Sequence, residues 1–245
     1  SKQGRKFKDI HRLDLTAAVP TWEEVKPDEG ELIPIAYHQG ALIDDVYYII
    51  GGETKEMRPT NLIQKFDILE NRILQPYEPP IPPSMQIKNN KENEKPEEEN
   101  ADQNEEIENS LPPVYSHSIV LYQKGVYLYG GTTPKGLNRD VYFLGIYGKD
   151  EEVQVKNLTK ELDDKSMPKP RKNHSSIIRG NRMYIYGGYG EGDKTLGDIW
   201  YYSIKTNEFT KIPIKEEDPN SYPKPRNSPG MFKYERNLYK LLLWI

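Results

Sequence analysis

The chain has 245 residues, no cysteine, a formal net charge of −4, and 29% charged side chains against 35% hydrophobic ones. The lack of cysteine excludes disulfides, thiolate metal sites and cysteine nucleophiles together, and leaves the fold to apolar packing. No segment reaches the eighteen or more apolar residues of a transmembrane helix, and the first ten residues hold no signal-peptide core, so a reducing, cytoplasmic location is expected.

In chain order, the first β-rich stretches are Asp9 to Leu15 and Trp22 to Val25. A longer pattern then begins. His38 leads into Val46-Tyr47-Tyr48-Ile49-Ile50, which ends on Gly51-Gly52. The same arrangement returns as His117, Val126-Tyr127-Leu128-Tyr129 and Gly130-Gly131, and again as His174, Met183-Tyr184-Ile185-Tyr186 and Gly187-Gly188. In each copy the histidine precedes the first glycine by thirteen residues, and Tyr48, Tyr127 and Tyr184 each follow their histidine by ten. A register kept three times marks an internal repeat.

Each glycine pair is followed by a polar loop and a second apolar run, starting at Asn61, Asp140 and Asp198. A further short run closes each unit near Ile73, Val153 and Glu208. Tyr, Ile, Val and Phe dominate and helical periodicity is absent, so each unit predicts about four short strands. A glycine pair closing a strand suits a sharp turn or a backbone approach too close for a Cβ. One small sheet cannot cover both its faces, so such units pack face to face around an axis.

Between the first and second units lies a stretch of different character. Residues 88–110 hold nine acidic residues against three lysines, a net −6 that leaves +2 for the rest of the chain. With Ile107 its one sizeable apolar side chain, the run cannot bury enough surface to offset its ordering entropy. Residues 79–110 are therefore expected to be an acidic, disordered insertion. It is either a tolerated loop expansion or an element that recruits a basic partner or competes for basic loops of the same chain. Neither charge value has the clustered basic face of a nucleic-acid binder.

These motifs resemble the Kelch-repeat family: an apolar strand ending in Gly-Gly, a later Asp before a Tyr-containing strand, and an aromatic residue near the unit's end. The resemblance implies an all-β, Kelch-type β-propeller of about four blades' worth of four-stranded antiparallel sheets. Residues 1–27 make the second half of a blade, 28–78, 111–160 and 166–214 three whole units, and 222–245 the first half of another. Pro223-Lys224-Pro225-Arg226 repeats Pro168-Lys169-Pro170-Arg171, whereas Leu242-Leu243 stand where a fourth glycine pair belongs. The expectation is an incomplete propeller, a stretch of a longer protein or one with an altered-frame end at Lys240 to Ile245; a closed four-bladed ring is the alternative.

For chemistry, the resemblance implies a non-enzymatic scaffold or adaptor that binds proteins, with no cofactor, nucleic acid or membrane. A cytoskeletal association is one setting it allows. The alternative is a propeller accompanying an enzyme domain outside this chain. Copper-radical oxidases that share the propeller need a tyrosine crosslinked to cysteine, which the composition excludes. His38, His117 and His174 occupy equivalent places in successive blades, so they should not converge on a metal. They read, with Gly51, Gly52, Gly130, Gly131, Gly187 and Gly188, as structural repeat positions. Asp9, Asp140 and Asp198 read as strand-entry residues bonding backbone amides, and Trp22 and Phe209 as residues packed between blades. Loops held on a rigid scaffold are where binding is expected. The candidate partner-binding residues are Arg58, Lys135, Arg139, Arg171, Tyr189, Lys194 and Arg226, on the loops after the glycine pairs and between units, where Arg and Tyr make favoured anchors.

Overall fold

A computed structural model of the chain describes residues 6–85, 110–123, 125–149, 152–214, 224–234 and 237–239. Residues 86–109, which hold most of the expected acidic insertion 79–110, and the departure at Lys240 to Ile245 lie outside them. Three four-stranded antiparallel sheets form the body. The first comprises β3 (Gln39–Ile43), β4 (Val46–Glu53), β5 (Pro59–Asp67) and β6 (Arg72–Tyr77), preceded by the hairpin of β1 (Ile10–Asp14) and β2 (Thr21–Val25). The second comprises β7 (Ser118–Tyr122), β8 (Gly125–Tyr129), β11 (Val141–Gly145) and β12 (Gln154–Asn157); β9 (Thr132–Thr133) and β10 (Gly136–Leu137) form a small hairpin in its loop. The third comprises β13 (Ser175–Arg179), β14 (Arg182–Tyr186), β15 (Ile199–Ser203) and β16 (Glu208–Ile212), and is followed by the pair β17 (Phe232–Tyr234) and β18 (Asn237–Tyr239). The first strands adjoin one another, β3 with β7, β7 with β13 and β13 with β17, as the innermost strands of successive propeller blades do. No helix among the described residues is long and apolar enough to cross a membrane.

Alternation along a strand decides where each side chain goes. Val126 and Leu128 of β8 join Val46, Tyr48, Ile50 and Ile63 in the core between the first and second blades. Tyr127 and Tyr129, pointing the other way, join Met183, Ile185, Tyr202 and Phe209 in the core between the second and third. Both faces of the strand are buried, which explains an uninterrupted Val-Tyr-Leu-Tyr run where a half-exposed strand would alternate with polar residues. Trp22 departs from its expected place between blades: it is 69% exposed, while Phe209 is buried.

The glycine pairs join one blade to the next. Gly130 and Gly131 hold φ of 68° and 92°, and a Cβ on Gly130 would stand 2.7 Å from the carbonyl oxygen of Arg171 in the following blade. That approach lets the Gly131 N–H donate to the same oxygen at 2.8 Å, while the Arg171 N–H donates to the Asn138 carbonyl. The junctions on either side repeat the link: Gly52 donates to Val114 and Gly188 to Arg226, each at 2.8 Å. Nearby, Tyr37, Ser116, Asn173 and Ser228 all adopt positive φ, and the last three donate their N–H to the carbonyl of the equivalent residue one blade earlier.

The repeated histidines fill the same junctions. A Cβ on Gly51 would meet the His117 ring at 3.0 Å, and one on Gly130 the His174 ring at 2.7 Å. His174 Nε2 bonds Ser118 Oγ at 2.7 Å, one blade back. His117 is buried, yet neither ring nitrogen has a hydrogen-bond partner among the described residues. The difference is one residue. Gln39 stands in β3 where Ser118 stands in β7, and no hydrogen bond joins it to the His117 ring among the described residues.

The flanks of the expected insertion prove to be part of the fold. Leu111 N–H donates to the Pro80 carbonyl, Asn61 Nδ2 donates to the carbonyls of Pro79 and Leu111, and Ser110 is buried. At the outer edge of the first blade, residues 28 to 30 run alongside β6. Asp28 N–H reaches the Asn71 carbonyl and Ile73 N–H the Glu29 carbonyl, both at 2.8 Å, and Gly30, at φ 78°, lies too close to Ile73 for a Cβ. At the opposite end from the glycine pairs, Lys149 of the second blade bonds Asp67 at 3.1 Å and Glu70 at 2.9 Å of the first.

Two substitutions check this account by denaturant unfolding. Gly130→Ala meets both an unfavourable φ and the Arg171 carbonyl, and should cost at least about 2 kcal/mol. Gln39→Ser supplies the hydroxyl that His117 lacks, and should stabilise by on the order of 1 kcal/mol.

Candidate functional site

Strand direction places the loops. Within each blade the second strand runs toward its glycine pair and the fourth toward the next blade, so glycine-pair loops and inter-blade connections share one end of the molecule. The three glycine-pair loops are built differently. In the first blade β4 and β5 pair out to Glu53 and Pro59, and Thr54 N–H closes the tip onto the Arg58 carbonyl at 2.9 Å. Met57 there holds φ 58° and is 63% exposed. In the second blade β9 and β10 carry Lys135 at an exposed turn. In the third, Gly190 N–H reaches the Lys194 carbonyl at 2.9 Å across a single 3-10 turn at Glu191–Asp193.

The seven candidates divide accordingly. Arg58, Lys135 and Lys194 are exposed at the three tips. Tyr189 is half-buried, and its backbone exchanges two hydrogen bonds with Lys172 on the inter-blade connection. Arg139 is tied to Asp164 by an ion pair. Arg226 serves the inter-blade link through its backbone, donating to the Leu196 carbonyl and accepting from Gly188.

Arg171 is not a surface anchor. It is fully buried, with Nη1 and Nη2 gripping the two Asp198 oxygens at 2.9 and 3.0 Å, Nη1 also reaching the Gly187 carbonyl, and Nε the Lys169 carbonyl. Trp200 adds its indole N–H to Asp198 at 2.7 Å. Burial alone would raise the Asp198 carboxyl; the guanidinium and indole outweigh it and hold the group below its ordinary value. In addition to the expected backbone bond, here with its own amide, Asp198 therefore serves a side-chain network. Asp140 does likewise, accepting from Thr159 Oγ1 at 3.3 Å and Tyr142 Oη at 3.5 Å, and Asp9 pairs with His11 at 2.8 Å.

No residue pattern marks the aromatic part of this end. Tyr37 is 61% exposed and its ring lies 6.1 Å from that of Tyr115, across the first junction. Among the described residues no group of His, Asp or Glu side chains is arranged to hold a metal ion, and the three histidines lie one per blade.

Arg171→Ala should strand the Asp198 carboxylate and destabilise the protein by about 3–5 kcal/mol. A denaturation midpoint near that of the parent chain would contradict this buried role.

Comparison with known proteins gives a match between residues 95–241 and the KLHDC2/KLHL20/DRC7 Kelch-repeats domain model. Leucine-zipper-like transcriptional regulator 1 homolog of Drosophila melanogaster is 26% identical over 131 residues, 50% of this chain and 12% of that protein. Kelch domain-containing protein 10 of Homo sapiens is 29% identical over 108 residues, 43% of this chain and 23% of that protein. The chain thus covers under a quarter of the length of these relatives. The solved structure of YjhT matches with a TM-score of 0.62 over 94% of this chain and 65% of that one; at 11% identity this is a likeness of fold alone.

Proposed function

This chain belongs to the Kelch-repeat domain family, whose model matches more than half of it, and from that premise we propose that it is a non-enzymatic scaffold. It binds a protein partner through the end of the propeller that carries the glycine-pair loops. The observation that carries this reading is the placement of Arg58, Lys135 and Lys194. Three loops of different construction each present an exposed cation at one end of the molecule, on backbone that the inter-blade bonds hold in register. Exposed Tyr37 and Met57 add apolar and aromatic surface to the same end, and with Arg58 they are of the residue types enriched in interfaces. A cytoplasmic location fits a chain without cysteine.

Affinity purification of the chain and of an Arg58→Glu/Lys135→Glu/Lys194→Glu variant, followed by mass spectrometry, tests the reading. The variant should fold with an unchanged unfolding midpoint and lose the partners that the parent chain retains. An identical partner set for both would place the interface elsewhere.

A further inference from the structure

The two histidines between blades have a place in the fold but only partial hydrogen bonding. His117 fits between Gly51 of the first blade and Gly131 of its own, with both ring nitrogens unpartnered among the described residues. His174 fits between Gly130 and Gly188, edge-on to the Tyr129 ring at 5.0 Å, with Nε2 on Ser118. Each ring lies beside the backbone bond that joins its two blades, Gly52 to Val114 and Gly131 to Arg171. A neutral imidazole fits such a place. An imidazolium does not, because a buried charge needs a counter-charge and hydrogen bonds.

Among the described residues, none supplies a counter-charge. Facing His117 is another histidine, His38, on the connection into β3. Facing His174 are the Arg171 guanidinium on the connection into β13, His117 on the connection into β7 and the Tyr129 carbonyl on β8; Asp198 is committed to Arg171. None of the ion pairs among the described residues involves either ring.

We infer that His117 and His174 make the two junctions acid-sensitive, so that proton uptake parts neighbouring blades at the loop end before the sheets themselves open. A proton on His117 adds a charge that only water can solvate, and one on His174 repels Arg171. Each blade keeps its internal ladder, while the backbone bonds beside the rings are lost. The loop end would then lose the register that aligns its three tips.

The direction with pH follows from linkage. Burial first, and then His38, hold His117 down to about 3, against an ordinary 6.5 in the unfolded chain. The unfolded state therefore binds more protons between those values, and stability is complete above pH 6.5 and falls as the pH drops toward 3. From pH 7.5 to 5.0, His117 alone should raise the unfolding constant about thirtyfold. Burial lowers His174 in the same direction, so the rise in the whole protein should exceed that figure.

The test compares the chain with a His117→Asn/His174→Asn variant by denaturant unfolding between pH 7.5 and 5.0. Amide exchange at Gly52 and Gly131, corrected for intrinsic rate, is followed in the parent chain. The parent should show the rise, the variant should lose most of it, and the Gly52 and Gly131 amides should lose protection before the Leu128 amide. An unchanged pH slope in the variant, or exchange at the glycines in step with Leu128, overturns the inference. Should the variant fail to fold, proton resonances of the histidine rings in the parent decide: no titration of His117 above pH 5 supports it, and titration near 6.5 in the folded state sinks it.

Discussion

The hydrogen bond from the second glycine of each pair to a carbonyl of the next blade has a geometric precondition. The first glycine must have no Cβ, because that atom would stand 2.6 to 2.8 Å from the oxygen that receives the bond. Once the two backbones can touch, several features follow. The next blade's innermost strand starts at a fixed height, its histidine falls against the glycine, and alternate residues of the second strand face two different cores. Side-chain packing supplies most of the favourable free energy, and the glycine link sets the register in which it is gained.

That division explains what the residues disclosed and what they did not. The glycines, the histidines and the doubly buried tyrosine runs were legible because each requires one residue type. The acceptor of the glycine bond was not, because it contributes only a carbonyl: Val114 does the same backbone work as Arg171 and Arg226 with an unrelated side chain. Arg171 reads as a loop cation for that reason. Its neighbours in sequence, Pro168 to Lys172, are those of an exposed connection, and only the arrival of Asp198 from across the same blade shows where the guanidinium goes. The aspartates entering the third strands show the same limit, since Asp198 and Asp140 each find one partner, Arg171 and Thr159, on a connection distant in sequence.

The loop end follows a related logic. Arg58, Lys135 and Lys194 follow glycine pairs whose positions were plain in the sequence, so their exposure at one end could be anticipated. Tyr37 and Met57 could not be: nothing in the repeat marks either position, and both hold a positive φ at a residue other than glycine, a conformation uncommon enough that residue type does not suggest it. Trp22 shows the converse: an aromatic in the expected register is buried only where a neighbouring sheet is there to cover it.

The short backbone strap of residues 28 to 30 along β6 reaches beyond the packing of one blade. An outermost strand with free amides and carbonyls is a template on which another chain can add a strand, the usual first step toward edge-to-edge aggregation. The strap occupies part of that template with its own chain, and Gly30 lets it lie flat against Ile73. The strap thus adds to Arg72 and Pro76 of β6 itself in making the rim of the first blade a poor place for strand addition.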